Sequence, residues 1–357
     1  MPFQYISCTN FRNLDNKPID LYEKEVFFVG ENGQGKSNLL ESIYYSAYGS
    51  SFRTRTDSEI VRHGENCFSL RAVFKDESDK INNINIYFEN NKKRIEKNGK
   101  TLSDRKDLIS VIPCILFCHE DLDFASGEPE KKRFFIDQSI ALTDVLYVNT
   151  MRNYKKILKS RNVLLKEHNY TLLETLNCQL AESGLEIKNK RKNVVNQFNR
   201  FFSNLYKEVT GITNVSVFYN PSWKAENVPE ILSVLEQKEE VDKAMGTTMS
   251  GPHRDIITFV KDEKPFVPTA STGQKRLLSI LLRVSQAIYC SAFTGKKPVF
   301  LMDDVLLELD PQKRQKVTSL LPEYNQLFCT YLPGEPYEKY KRQNTKIYFI
   351  ENGTWHE

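Results

Sequence analysis

The stretch Gly30-Glu31-Asn32-Gly33-Gln34-Gly35-Lys36-Ser37 constrains this chain more than any other. Its spacing, G-x-x-x-x-G-K-[ST], is that of a phosphate-binding loop, which works only between a strand and a helix. Both flanks are present. Glu25-Val26-Phe27-Phe28-Val29 is a short β-rich run suited to a buried strand, and Leu39, Leu40, Ile43, Tyr44 and Ala47 recur at helical spacing. Glycines let backbone N–H groups turn inward around phosphates at the positive end of a helix. Gly30 to Ser37 are therefore candidate nucleotide-binding residues. Lys36 is expected to neutralise the β- and γ-phosphates, and the Ser37 hydroxyl to hold Mg²⁺.

A second apolar strand, Pro298-Val299-Phe300-Leu301-Met302, ends in Asp303-Asp304, a Walker B pattern. A buried strand of this kind delivers Asp303 to the sheet edge where the phosphates sit. There it is expected to hold Mg²⁺ with Ser37, while Asp304 orients or deprotonates the attacking water. Upstream, Ala270-Ser271-Thr272-Gly273-Gln274-Lys275-Arg276 precedes an apolar helical pattern through Leu277, Leu278, Ile280, Leu281, Leu282, Val284 and Ala287. Ser271 and Gly273 at a helix start can offer N–H groups and a hydroxyl to an anion, and Ser271 is equally suited to be a simple N-cap.

The rest of the chain sets limits. At 357 residues it is long enough for two domains, or one with a large insertion. Its net charge of +4 permits nucleic-acid binding without demanding it. The seven cysteines are scattered with no C-x-x-C pair, which predicts reduced thiols and a cytosolic protein. No basic segment followed by an apolar run opens the chain, and no apolar run approaches the ~18 residues of a membrane span. Residues 67–74 and 81–89 read as strands of a meander, with turns at Asn90-Asn91 and Asn98-Gly99. Residues 110–117 read as a central strand. Residues 139–210 read as antiparallel helices forming an arm, with one long helix carrying Leu142 to Leu158 and a second interrupted at Gly184 and the charged run 186–192. Residues 228–243 read as one amphipathic helix.

The signature-like stretch followed by Walker B resembles the ABC-type ATPases, where such a motif faces the γ-phosphate of a partner subunit. Leu306-Leu307-Glu308-Leu309-Asp310-Pro311 resembles their D-loop. Further matches extend over the whole chain: Asn10-Phe11-Arg12-Asn13, Ser51-Phe52-Arg53-Thr54, Glu120-Asp121-Leu122, Gly251-Pro252-His253-Arg254-Asp255 and Glu351-Asn352-Gly353. Together they resemble the RecF family of bacterial gap-repair ATPases, relatives of SMC heads. Gly-Pro-His-Arg-Asp is the most specific of them, and the short helical insert differs from the far longer coils of SMC proteins.

The resemblance implies an α/β protein: a P-loop ABC-type ATPase head with a β-meander, plus a helical arm inserted between the phosphate loop and the signature. The expected division is head at 1–121, arm at 122–240 and head again at 241–357. It implies ATP and Mg²⁺ as cofactors, with Ser271, Gly273 and Gln274 serving a partner's nucleotide, Arg53 or Arg55 reaching the phosphates, and Arg12 and Asn13 flanking the adenine. It implies a homodimer induced by ATP on single-strand/double-strand DNA junctions, a weak ATPase, cooperation with RecR and RecO in RecA loading and SOS induction, and no membrane partner. Arg152, Lys155, Lys156 and Lys159 share one helix face by their i, i+3, i+4, i+7 spacing and form a candidate DNA-contacting stripe; Lys131-Lys132-Arg133 and residues 188–192 are the alternatives.

The chain also departs from ABC proteins. Cys118-His119-Glu120 replaces the usual Gln after the central strand, Asp304 replaces Glu, and Thr330 and Tyr331 stand near the usual switch His. A shorter base and no switch His predict slow hydrolysis. A transport-type nucleotide-binding subunit should carry the missing Gln and His, and a small-molecule kinase should lack the signature and D-loop. A RecF-like ATPase of a defence or anti-plasmid system is the rival least separated by sequence.

Overall fold

A computed structural model describes residues 2–306 and 309–357. The chain forms two compact units, Met1–Glu120 with Gln286–Glu357, and Asp121–Ser285.

The first unit is built on a parallel sheet whose strand order is Thr354–His356, Thr345–Glu351, Glu25–Val29, Gln326–Tyr331, Val299–Met302, Cys114–Phe117; only the terminal hairpin is antiparallel. Strand Glu25–Val29 is buried at every position, as a central parallel strand covered on both faces must be. The expected strand over 110–117 is shorter, Cys114–Phe117. Pro113 cannot donate to a ladder, and a short helix, Lys106–Ile109, precedes it.

The second sheet of this unit is the antiparallel meander, six strands in the order Pro18–Asp20, Phe3–Thr9, Cys67–Lys75, Ile81–Glu89, Lys92–Lys97, Lys100–Thr101. Strand Ile81–Glu89 alternates buried and accessible residues, so one face meets a core and the other meets solvent. Asn90 and Asn91 both take positive φ (51° and 57°), the geometry a two-residue hairpin requires. Helix Lys36–Tyr48 contributes Leu39, Leu40, Ile43 and Tyr45 to one core shared with Phe68, Leu70, Ile84 and Ile86 of the meander and Val26, Phe28, Leu301 and Phe328 of the parallel sheet. The helix behind the phosphate loop is thereby fixed from two sides.

The second unit is mainly helical: Pro129–Thr143, Tyr147–Lys166, Leu173–Asn199, Phe202–Thr210, Val228–Gln237 and Glu239–Met245, with a three-stranded antiparallel sheet ordered Lys264–Pro265, Ile256–Lys261, Val215–Asn220. Three expectations for its helices change. The single helix through Leu142 and Leu158 is two, because Asp144 leaves helical geometry and its carboxylate accepts the N–H of Leu146 (3.1 Å) and Tyr147 (3.3 Å), starting the next helix. Leu173–Asn199 runs without interruption for 27 residues. Gly184 serves there as a packing gap, since a Cβ would strike the Trp223 ring. The charged run is held by ion pairs of Lys188, Lys190, Arg191 and Lys192 with acidic partners. The helix over 228–243 breaks at Lys238.

The division of the chain also differs from expectation. Residues 241–285 cluster with the arm, because Ile256–Lys261 pairs with Val215–Asn220 and the turn around Pro252 is tied to helix Leu173–Asn199. Helix Thr272–Thr294 is long and apolar enough to cross a membrane, contrary to the expectation that no such run exists. Its most apolar window is 72% buried within the protein, as in a core helix.

Candidate nucleotide site

The phosphate loop and the Walker B strand meet at the carboxyl edge of the parallel sheet, where open α/β sheets place their ligands. Gly33 (φ 81°) and Gly35 (φ 116°) supply the left-handed backbone of the loop. A Cβ on Gly30 would stand 2.5 Å from the Ile350 carbonyl oxygen, so this position is also closed to side chains. Lys36 is 4% exposed, and its ammonium donates to the carbonyls of Gly30 (2.8 Å) and Glu31 (3.0 Å), which point it back over the loop. The loop is held by a turn from the far end of the chain. Asn352 N–H donates to the Gln34 side-chain oxygen (2.7 Å) and Gly353 N–H to the Gln34 carbonyl (2.8 Å). A Cβ at Gly353 would collide with the Asn13 carbonyl.

The Ser37 hydroxyl donates to Asp303 Oδ1 at 2.8 Å, so the two residues expected to share Mg²⁺ lie side by side. Asp303 N–H donates to the Phe117 carbonyl (2.9 Å), fixing the end of the strand. Burial pushes the Asp303 carboxyl up to about 6; the Ser37 hydroxyl opposes this and the neighbouring Asp304 charge adds to it. Among the described residues no group of three or more His, Cys, Asp or Glu forms a metal cage. One hydroxyl plus one carboxylate, completed by phosphate oxygens and water, is the ligand set that suits Mg²⁺.

Asp304 sits at φ 53°. Its N–H donates to the Thr330 hydroxyl (2.9 Å), and that hydroxyl donates in turn to Asp304 Oδ1 (2.7 Å), lying 3.2 Å from Asp303 Oδ1. Sequence places Thr330 only near the switch position; its partnership depends on the pairing of Val299–Met302 with Gln326–Tyr331, which no local pattern reveals. Glu41 escapes sequence reading altogether, although a lone carboxylate among Leu40, Ser42 and Ile43 is a signal. It is fully buried and receives Arg12 in a bidentate pair (Nε 3.0 Å, Nη2 2.9 Å), with Arg53 Nη1 at 3.5 Å. Arg53 also donates to Asn38 Oδ1 (2.6 Å), and Asn38 donates to Asn13 Oδ1 (2.7 Å).

Ser271, Gly273 and Gln274 belong to the second unit. Ser271 N–H donates to Gln274 Oε1 (2.8 Å) and Gln274 N–H to Ser271 Oγ (3.3 Å), a reciprocal cap on helix Thr272–Thr294. Gly273 has nothing within 4 Å of where a Cβ would be, so the helix start is open. In the D-loop stretch, Leu307 and Glu308 lie outside the described residues; Asp310 caps helix Pro311–Ser319 by accepting Lys313 N–H (3.0 Å).

The Gly-Pro-His-Arg-Asp motif is a structural knot. Arg191 is 2% exposed and donates to both Asp137 oxygens (2.8 and 2.9 Å), Asp255 Oδ2 (2.9 Å) and the Pro252 carbonyl (2.7 Å). His253 bridges the Tyr154 hydroxyl (2.7 Å) and the Thr248 carbonyl (3.0 Å); burial lowers its pKa to about 4, keeping it neutral. Asp121 is similarly used, pairing with Arg283 at 2.7 Å. Arg152, Lys155, Lys156 and Lys159 are exposed on helix Tyr147–Lys166, whose Tyr154 and Ile157 are buried. Within the alternative patch 188–192, Lys188 is buried against the Ala225 carbonyl and Arg191 is committed to its acidic partners, so that patch offers little free charge.

A parallel sheet with phosphate loop and Walker B carboxylates at one edge, a meander beside it and a helical second unit carrying a capped signature-like helix define a P-loop ATPase head of the ABC/SMC type. The model of the RecF/RecN/SMC N-terminal domain matches residues 3–356. A "DNA replication and repair protein RecF" from Treponema pallidum (strain Nichols) is 47% identical over 354 residues, covering 99% of this chain and 100% of the relative. Another of that name, from Leptospira interrogans serovar Lai, is 33% identical over 362 residues, covering 99% and 98%. The chain belongs to the RecF family of DNA replication and repair proteins. A solved structure described as the recombination mediator protein RecF-ATP in the RecFOR pathway superposes with a TM-score of 0.89 at 26% identity, covering 99% of this chain and 97% of that one. An SMC head from Pyrococcus furiosus shares the fold, with a TM-score of 0.57 at 16% identity.

Proposed function

We propose that this chain is an ATP-operated DNA-binding protein of recombinational gap repair and replication restart, in which bound nucleotide joins two copies on DNA and is hydrolysed slowly. The observation that carries this reading is the 2.8 Å contact between Ser37 and Asp303, which joins the phosphate loop to the Walker B carboxylate in a chain with RecF relatives along its whole length. Gly30 to Gly35 present backbone N–H groups to the phosphates. Lys36 exchanges its loop carbonyls for phosphate oxygens. Ser37 and Asp303 are the residues that would hold Mg²⁺, which when bound would supply neutralisation of charge developing on the phosphate oxygens. Asp304 orients the attacking water and accepts its proton, and Thr330 fixes the direction of that carboxylate. A carboxylate one methylene shorter than Glu, already engaged by a hydroxyl, suits slow turnover.

The DNA is taken to be a gapped duplex with a single-strand/double-strand junction. RecR and RecO are the protein partners, RecA loading and SOS induction the outcome, and the cytoplasm the site of action. The test is filter binding of a gapped duplex with and without ATP and magnesium, for wild type and Lys36→Ala. Retention should rise with ATP for the wild type only, because the compact charge on the phosphates is removed in the variant. ATP-independent retention, or an ATP response surviving in Lys36→Ala, would overturn the reading. A pull-down for RecR separates it from a defence-system ATPase of the same build.

A further inference from the structure

Helix Lys36–Tyr48 begins at the phosphate loop and is apolar on the faces that enter the core. Glu41 is an exception, a carboxylate with 0% exposure. An isolated buried carboxylate is costly, so what surrounds it is informative. Two segments converge on it. From the residues after the first strand comes Arg12, which also donates Nη1 to the Glu59 carbonyl at 2.7 Å. From the loop after the helix come Ser51, whose hydroxyl donates to Glu41 Oε1, and Arg53 at 3.5 Å. Ser51 Oγ in turn accepts the N–H groups of Arg53 (2.9 Å) and Thr54 (3.1 Å), so the carboxylate fixes the backbone that carries Arg53 as well as its charge.

Position on the helix gives the cluster its meaning. Glu41 lies four residues after Ser37 and three after Asn38, hence on the same helix face, about 6 Å along the axis. Arg53, bridging Asn38 and Glu41, therefore lies along the face that ends at Ser37 and its partner Asp303. Arg12, engaged by Glu41 and by the Glu59 carbonyl, is 21% exposed at the side chain and Arg53 is 41% exposed, so both guanidinium groups keep an accessible part beyond their protein partners. An arginine fork held in place by a carboxylate loses less freedom when it receives a phosphate.

We propose that Glu41 is a positioning residue of the nucleotide site: it presents Arg12, expected from the sequence resemblance beside the adenine, together with Arg53 as a preset pair of cations to the phosphate groups of the bound nucleotide. This rests on the ATP-binding reading above. It assigns Glu41 no contact with nucleotide.

The test measures affinity for a fluorescent ATP analogue with magnesium, alongside thermal midpoints. Wild type and Lys36→Ala come first: if the wild type does not bind in a Lys36-dependent way, it is the ATP reading that fails. If it does, Glu41→Gln, which keeps the size and removes the charge, should weaken binding about tenfold, the lower end of what orienting partners typically contribute. The double variant Arg12→Gln/Arg53→Gln should lose at least as much, and adding Glu41→Gln to it should change nothing further. Groups that act through one another are non-additive in this way, whereas a merely structural Glu41 would lose affinity additively. Wild-type affinity in Glu41→Gln, or a further tenfold loss in the triple variant, overturns the proposal. Should Glu41→Gln fail to fold, Ser51→Ala cuts only the loop's tie to the carboxylate. It should weaken binding in the wild-type background and have no effect in Arg53→Gln; a loss persisting in Arg53→Gln overturns the proposal equally.

Discussion

Asp304 holds a backbone conformation that most side chains avoid, at φ 53°, and it does so next to a second carboxylate. Left-handed geometry costs a residue with a Cβ about 1–2 kcal/mol. The Thr330 hydroxyl offsets this by meeting Asp304 twice, accepting its N–H at 2.9 Å and donating to its carboxylate at 2.7 Å. One hydroxyl thus sets both the turn and the direction of the proposed base. Thr330→Val keeps the shape and removes both bonds. We expect ATP binding to persist, turnover to fall about tenfold by analogy with the loss of an orienting partner, and the thermal midpoint to drop slightly, since the half-buried Asp304 N–H loses its partner. Single-turnover hydrolysis checks this; an unchanged rate would remove Thr330 from the mechanism. Lys36, Ser37 and Asp303 are readable from sequence because a loop motif and an apolar strand fix them locally. Thr330 and Glu41 are not, because their roles arise from strand register and from loops that meet only in the folded unit.

At the scale of elements, the helix Tyr147–Lys166 buries Tyr154 and Ile157 and turns Arg152, Lys155, Lys156 and Lys159 outward. Four cations on one exposed face suit a phosphate backbone, and the rival run at 188–192 is largely spent on internal partners. Replacing all four by Glu should weaken binding of a gapped duplex. For every DNA phosphate no longer neutralised, the slope of log K against log salt should flatten by about 0.9. A salt slope equal to that of the wild type would move the DNA surface elsewhere, to Lys131-Lys132-Arg133 for instance. The same arm shows where element-level reading fails. Gly184 and the charged run resemble a helix break as long as their partners are unknown; Trp223 fills the space over the glycine, and Asp137 and Asp255 satisfy Arg191. Asp144, by contrast, ends a helix that apolar spacing would have continued, through two hydrogen bonds of its own side chain. Propensity and periodicity lose to tertiary partners in the first case and to local capping in the second.

For the molecule as a whole, the proposed dimer requires one chain to complete the site of another. The start of helix Thr272–Thr294 is exposed, with Ser271 and Gln274 capping each other and open space at Gly273. In the proposed dimer such a helix start would receive the γ-phosphate of a nucleotide held by a second copy, and ATP would close a two-fold arrangement with two equivalent sites. Ser271→Arg should then bind ATP through its own intact phosphate loop and fail to dimerise or to hydrolyse. Loss of the cap alone should cost only about 1 kcal/mol of stability, so the variant should remain folded, which its thermal midpoint checks. Mixing Lys36→Ala chains with Ser271→Arg chains is the decisive measurement. In a mixed dimer one site combines both lesions, while the other joins an intact Lys36 to an intact Ser271, and ATPase activity should reappear although neither variant is active alone. Mixed dimers that form, as shown by differently tagged chains, and stay inactive would mean that each site lies within one chain or that both must fire together. ATP-dependent dimerisation of Ser271→Arg separates these outcomes. If that variant dimerises like the wild type, the helix start does not close the partner's site, and the shared-site arrangement falls.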